Sequence, residues 1–168
     1  MIVLPIAAAV VVVVGVAAAT RSRRFEVVRS IAIDAPSDRI APLIDDLRRW
    51  PDWQPDDAAR TFSGAKRGVG AVCDVDGKQM VARMEVVEAS PTTIRVRAVW
   101  RRPFVATNEN VFRLAPRDGG GTDVSWTLDG ERVAILKLMT VFVPVDRIMG
   151  LHLERGLAAL AQSVLSQR

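Results

Sequence analysis

The chain has one cysteine, one histidine and no tyrosine among its 168 residues. A lone Cys73 cannot close an intrachain disulfide, and with His152 as the only imidazole there is no Cys/His cluster for a soft metal. Disulfide-stapled and zinc-scaffold folds are excluded on those counts. Any catalytic triad would have to be built around His152. The basic surplus is also small, a formal +4, and it is concentrated: Arg21, Arg23 and Arg24 fall within four residues. Without those three the chain is close to electroneutral, so it lacks the concentrated positive field that a phosphate-binding surface needs. Arg95, Arg97, Arg101 and Arg102 have acids such as Glu85, Glu88 and Glu109 nearby and read as a solvated sheet face. What is present is an apolar fraction of 49% with 25% charged residues, far from the composition of disordered chains and enough for one domain plus an accessory segment.

That segment comes first. Met1 to Thr20 carry no ionisable side chain, and nineteen of them, Met1 to Ala19, form one apolar run. At about 1.5 Å per residue such a run reaches roughly 28 Å, close to the hydrocarbon thickness of a bilayer. Residues 1–20 are therefore expected to be a transmembrane anchor, 21–24 a basic juxtamembrane linker, and 25–168 the folded domain. The arginines follow the apolar run, which predicts a single pass through the cell membrane with the domain on the cytoplasmic side. The rival is export after signal-peptide cleavage at Ala17-Ala18-Ala19, but a positive n-region is missing.

Beyond Phe25 the pattern is that of strands. FEVVRSIAID is rich in β-branched residues and ends at Ala35-Pro36. Ser37 is placed to cap a short helix with Ile40, Leu43, Ile44 and Leu47 on its apolar face, shortened by Pro42. The loop Trp50-Pro51-Asp52-Trp53-Gln54-Pro55 holds two tryptophans that either pack over a sheet edge or rim a pocket. Further on, Ala71/Cys73/Val75, Ala82/Met84/Val86, Ile94/Val96/Ala98/Trp100 and Val124/Trp126/Leu128 alternate with polar residues, the period of an antiparallel sheet buried on one side. Gly64, Gly68 and Gly70 lack the Lys-Ser/Thr of a phosphate loop and read as hairpin residues.

The strand from Phe104 to Leu114 breaks the alternation. Placing Phe112 and Leu114 inward brings Asn108 and Asn110 inward too, at a cost of a few kcal/mol unless their amides are hydrogen-bonded. They are either satisfied by protein or water, or are the sparse polar contacts that orient a ligand in an apolar cavity. The last third reads as helix: Ile148, Met149, Leu151, His152, Leu153, Leu157, Leu160 and Val164 make an apolar stripe, with Gly156 inviting close approach to the sheet. Val133 to Val145, too short to cross a bilayer, is expected to be a lid with Met139 and Phe142 facing in, the alternatives being a second core helix or a patch at the lipid interface.

Strand, two short helical turns, a strand meander and a long terminal helix, together with Ala35-Pro36, Trp50-Pro51-Asp52-Trp53-Gln54-Pro55, Gly68-Val69-Gly70-Ala71, Pro103-Phe104-Val105-Ala106-Thr107-Asn108, Gly121-Thr122-Asp123-Val124-Ser125-Trp126 and Gly156-Leu157-Ala158-Ala159-Leu160, resemble the START-like helix-grip superfamily and its bacterial polyketide cyclase/dehydrase-like branch. Pro42 and Asn110 depart from that pattern. The resemblance implies an α+β fold, a curved antiparallel sheet wrapped around the C-terminal helix, enclosing a deep apolar cavity; here it would follow one N-terminal transmembrane helix. Relatives use such cavities for lipids, sterols, polyketides or plant hormones. The expected function is a membrane-anchored binding protein for a hydrophobic small molecule or lipid, with Trp50, Trp53, Met84, Trp100, Asn108, Asn110, Phe112, Trp126, Met139, Phe142, Met149 and His152 lining the site. No catalytic residue, metal or cofactor is assigned, and no nucleic acid partner. The alternatives are a cyclase/dehydrase-type enzyme, for which His152 is the natural acid/base, and a structural or interaction domain with a solid core.

Overall fold

The computed structural model describes residues 24–131 and 145–166. The expected anchor, Arg21 and Arg23, and residues 133–144 with Met139 and Phe142 lie outside them. Among the described residues no helix is long and apolar enough to cross a membrane.

Strand β1 spans Arg24–Ile33 and so takes in the last arginine of the expected linker. Helix α1 (Ser37–Asp45) follows, then a 3-10 turn over Leu47–Asp52. Six more strands come next: β2 (Ala59–Gly64), β3 (Ala71–Asp76), β4 (Val81–Ala89), β5 (Thr93–Arg102), β6 (Ala106–Pro116) and β7 (Thr122–Glu131). The long helix α2 (Val145–Ser166) completes the chain. The sheet is antiparallel, in the order β1-β7-β6-β5-β4-β3-β2. A sheet with α2 laid across one face, chiefly along β1, is the α+β helix-grip arrangement.

Alternation puts Val96, Ala98, Phe112, Leu114, Val124, Trp126 and Leu128 on the buried face, and pairing aligns them into rows such as Ile94–Phe112–Trp126–Arg29. On the other face Arg95 bridges Glu88 at 3.1 Å and Glu109 at 2.8 Å, while Arg97 meets Glu109 at 3.5 Å. Arg102 differs from the expectation of an acidic partner: its guanidinium donates to the carbonyls of Gly77 and Lys78, because the turn there brings backbone oxygens within reach. The short β2 was not evident from alternation; Phe62 is its one large apolar residue, and its place is set by pairing with β3. At its end Gly64, Gly68 and Gly70 adopt positive φ, the hairpin role their sequence suggests.

Two local expectations are corrected. Ser37 does not cap α1: Pro36 already holds the extended dihedrals of the capping position, so Ser37 lies inside the helix and no side-chain cap bond forms. Leu47 is not on α1 but begins the 3-10 turn, which Asp46 caps by accepting the Arg48 N–H at 3.0 Å. Across the interface Leu153, Leu157, Leu160 and Val164 of α2 are buried, each worth about 1.5–3 kcal/mol of transfer free energy. Gly156 has the expected role. A Cβ there would lie 2.6 Å from Trp126 Cζ3, so the helix comes as near as only glycine permits.

Candidate ligand site

The loop tryptophans are positioned by α1. A helix leaves its last carbonyls without intrahelical partners; Trp53 Nε1 donates to Leu43 O at 2.9 Å and Trp50 Nε1 to Ile44 O at 2.8 Å. With both indoles so tied, their rings fill the centre of the grip. Trp50 and Trp53 lie 5.1 Å apart, Trp53 meets Trp126 at 5.8 Å, and Phe112 stacks on Trp126 at 4.9 Å. The rings are therefore buried in the core and not laid over a sheet edge, and both also line a cleft.

These rings form an aromatic plug in the interior, and beside it two adjoining clefts among the described residues lie between the sheet and α2. The first, about 380 Å³, lies at the β5–β6 end, lined by Phe25, Leu128 and Trp100 from the sheet, Pro103 and Phe104 from the β5–β6 connection, and Ile148, Met149 and Leu153 from α2. The second, about 480 Å³, lies beside the plug against Trp50, Trp53, Met80, Met84, Ala98, Trp126 and Gly156. Trp100, Asn110 and His152 line both and form the waist between them. Of the residues expected at the site, Asn108 and Met149 line the first cleft only. Trp50, Trp53, Met84 and Trp126 line the second only. Phe112 lines neither, because it is fully buried behind Trp126.

The inward asparagines have protein partners. Trp126 Nε1 donates to Asn110 Oδ1 at 3.0 Å, and Trp100 Nε1 to Asn108 Oδ1 at 3.3 Å. An indole can only donate, so each amide oxygen is turned to its tryptophan and each NH₂ group away from it. His152 sets its ring 5.9 Å from that of Trp126. His152 is exposed by surface area, yet the neighbouring protein partly desolvates the imidazole and pushes its pKa below the ordinary value, favouring the neutral form. Burial pushes the Cys73 thiol up, which suits a core residue and not a nucleophile. Among the described residues no group of three or more potential ligands could hold a metal ion.

Two residues of consequence escaped the sequence reading. Arg29 falls in register with Phe25, Val27, Ile31 and Ile33, and its guanidinium crosses to α2, meeting Asp146 at 2.9 Å and Glu154 at 2.6 Å. A charge in an apolar register was the available signal. Gln54 lines the second cleft and its Nε2 is buried without a partner; nothing in the loop's composition distinguishes it.

A family model described as "Polyketide cyclase / dehydrase and lipid transport" matches residues 24–164. None of the curated proteins matches. Among solved structures, protein MLL2253 from Mesorhizobium loti is 18% identical, with a TM-score of 0.62 over 85% of this chain and 98% of that one. Norcoclaurine synthase from Thalictrum flavum is 12% identical, with a TM-score of 0.67 over 84% and 94%. Ara h 8.0201 is 14% identical, with a TM-score of 0.62 over 85% and 99%. Likeness at these identities shows the fold.

Proposed function

Because this chain belongs to the polyketide cyclase/dehydrase and lipid-transport family, we propose that it binds a hydrophobic small molecule or lipid in the clefts between the sheet and α2. The observation that carries this reading is the lining: apolar side chains from β1, β5, β6, β7 and α2 surround a few polar groups, Thr107, Asn108, Asn110, Glu131 and His152. Cavities of this size and composition are what drug-sized apolar ligands occupy. Organic extraction of the purified full chain with mass spectrometry, beside titration with the neutral fluorophore phenylnaphthylamine, tests it. A co-extracted apolar compound, or saturable fluorophore binding, is the expected result. The absence of both overturns the reading.

The proposal includes the anchor. Residues 1–20 span the cell membrane and the domain lies on the cytoplasmic side, which raises the effective concentration of any ligand partitioning into that bilayer. Support comes from the unbroken apolar run and the arginines that follow it. Retention of the full chain in carbonate-washed membranes, with the domain protease-resistant in intact cells, is expected; release of a shortened chain from the cell supports signal-peptide cleavage instead.

A second reading, a cyclase or dehydrase, is favoured by one observation: His152 lines both clefts, and desolvation biases its imidazole toward the form that could take a proton from an enolisable carbonyl compound. Incubation with a poly-β-keto thioester separates the two. Turnover that is lost in His152→Gln supports the enzyme, and unchanged substrate supports the carrier.

A further inference from the structure

Three amide side chains line the clefts, and two of them have their oxygens engaged by an indole. Asn110 is 7% exposed and its Oδ1 is engaged by Trp126, which leaves its NH₂ group turned away from that indole. Asn108, with Oδ1 on Trp100, has the same arrangement one pair of residues along β6. Gln54 Nε2 adds a third donor, buried and unpartnered, in the second cleft. The nearest carboxylate in that cleft is already occupied: Asp56 accepts the Ala58 N–H at 2.9 Å and the Arg60 guanidinium at 2.6 Å. An unmade buried donor is costly, and an acceptor brought by the ligand removes that cost.

Resting on the hydrophobic-ligand reading above, we propose that the ligand carries a ketone or ester carbonyl between apolar arms, and that Asn110, flanked by both clefts, donates to that oxygen. The two tryptophans act as positioning residues. By occupying Oδ1 they fix which end of each amide the ligand meets, so neither amide offers its oxygen there. The apolar arms lie along Phe25 and Leu128 on one side and Met84 and Ala98 on the other.

The test compares decane with butyl pentyl ketone, which has the same carbon count, as competitors for phenylnaphthylamine on the full chain and on Asn110→Leu. Removing a net hydrogen bond of ordinary strength lowers ketone affinity relative to decane affinity by roughly fivefold to tenfold. A loss of packing alone would weaken both competitors together and leave their ratio unchanged. Asn108→Leu, at a half-buried position with a longer indole contact, decides the question should Asn110→Leu fail to fold; a reduced ketone-to-decane ratio is again expected. An unchanged ratio in the folded variants, or exclusion of the ketone by the unaltered chain, overturns the inference while leaving the carrier intact. Failure of phenylnaphthylamine and decane alike to bind overturns the carrier reading instead.

Discussion

Gly156→Ala sets helix propensity against packing. In an isolated helix the change gains about 1 kcal/mol, because alanine loses less backbone freedom than glycine. In this fold the new Cβ would lie 2.6 Å from Trp126 Cζ3, 3.3 Å from its Cη2 and 3.0 Å from Gln54 Nε2. Relief requires the indole to move, and the indole is held at three places: by the 3.0 Å bond to Asn110, by Phe112 at 4.9 Å and by Trp53 at 5.8 Å. Overpacking a rigid core costs typically 1–3 kcal/mol, and so constrained a ring belongs to the upper half of that range. The net expectation is a loss of about 1–2 kcal/mol, a fall in Tm of roughly 2–8 °C for a domain of this size. Urea unfolding followed by tryptophan fluorescence measures it, with Trp126→Phe and the double variant completing a cycle. The double variant should recover part of the loss, since the atoms that clash belong to the outer ring of the indole. Stabilisation by Gly156→Ala, or additivity in the cycle, refutes the argument that helix–sheet distance is set at this contact.

Other outcomes follow from the same geometry. Arg29→Met removes the link from β1 to Asp146 and Glu154; amide exchange should quicken over residues 146–154 of α2 and stay slow over 157–164. The Arg29 guanidinium also holds the Asp146 carboxyl below its usual range. Its contribution is therefore complete above the ordinary Asp value and lost as pH falls through the depressed one, and the acid limb of stability should flatten in Arg29→Met below about pH 4. The single imidazole makes His152 a clean NMR probe: its midpoint should lie below the ordinary histidine value, because burial disfavours its charged form. By the same sign, stability linked to His152 is complete above the ordinary value and declines as pH drops below it, and a midpoint at or above that value contradicts the desolvated placement. Trp53→Phe strands the Leu43 carbonyl, buried and accepting at 2.9 Å, and should cost about 2–3 kcal/mol in urea unfolding through the unmade bond and lost ring area; a cost under about 0.5 kcal/mol would show that α1 finds another cap.

The alternation of Ile94 to Trp100 and of Val124 to Leu128 was enough to assign strands and faces, because successive side chains of a strand must point to opposite sides and only one side of this sheet is buried. The stripe on α2 and the glycine within it were readable for a similar reason: helical period and propensity are local properties. Local pattern also brought Asn108 and Asn110 to the buried face. It could not say what they bond, since the partners Trp100 and Trp126 are chosen by strand register, and register is settled only when the whole sheet forms. The division of the interior into two clefts was likewise beyond the sequence. It depends on where α1 sends the indoles of Trp50 and Trp53 and on Phe112 closing behind Trp126. Periodicity determines which residues face inward; the space left among them is a small difference between large packed volumes, and only the assembled side chains decide it.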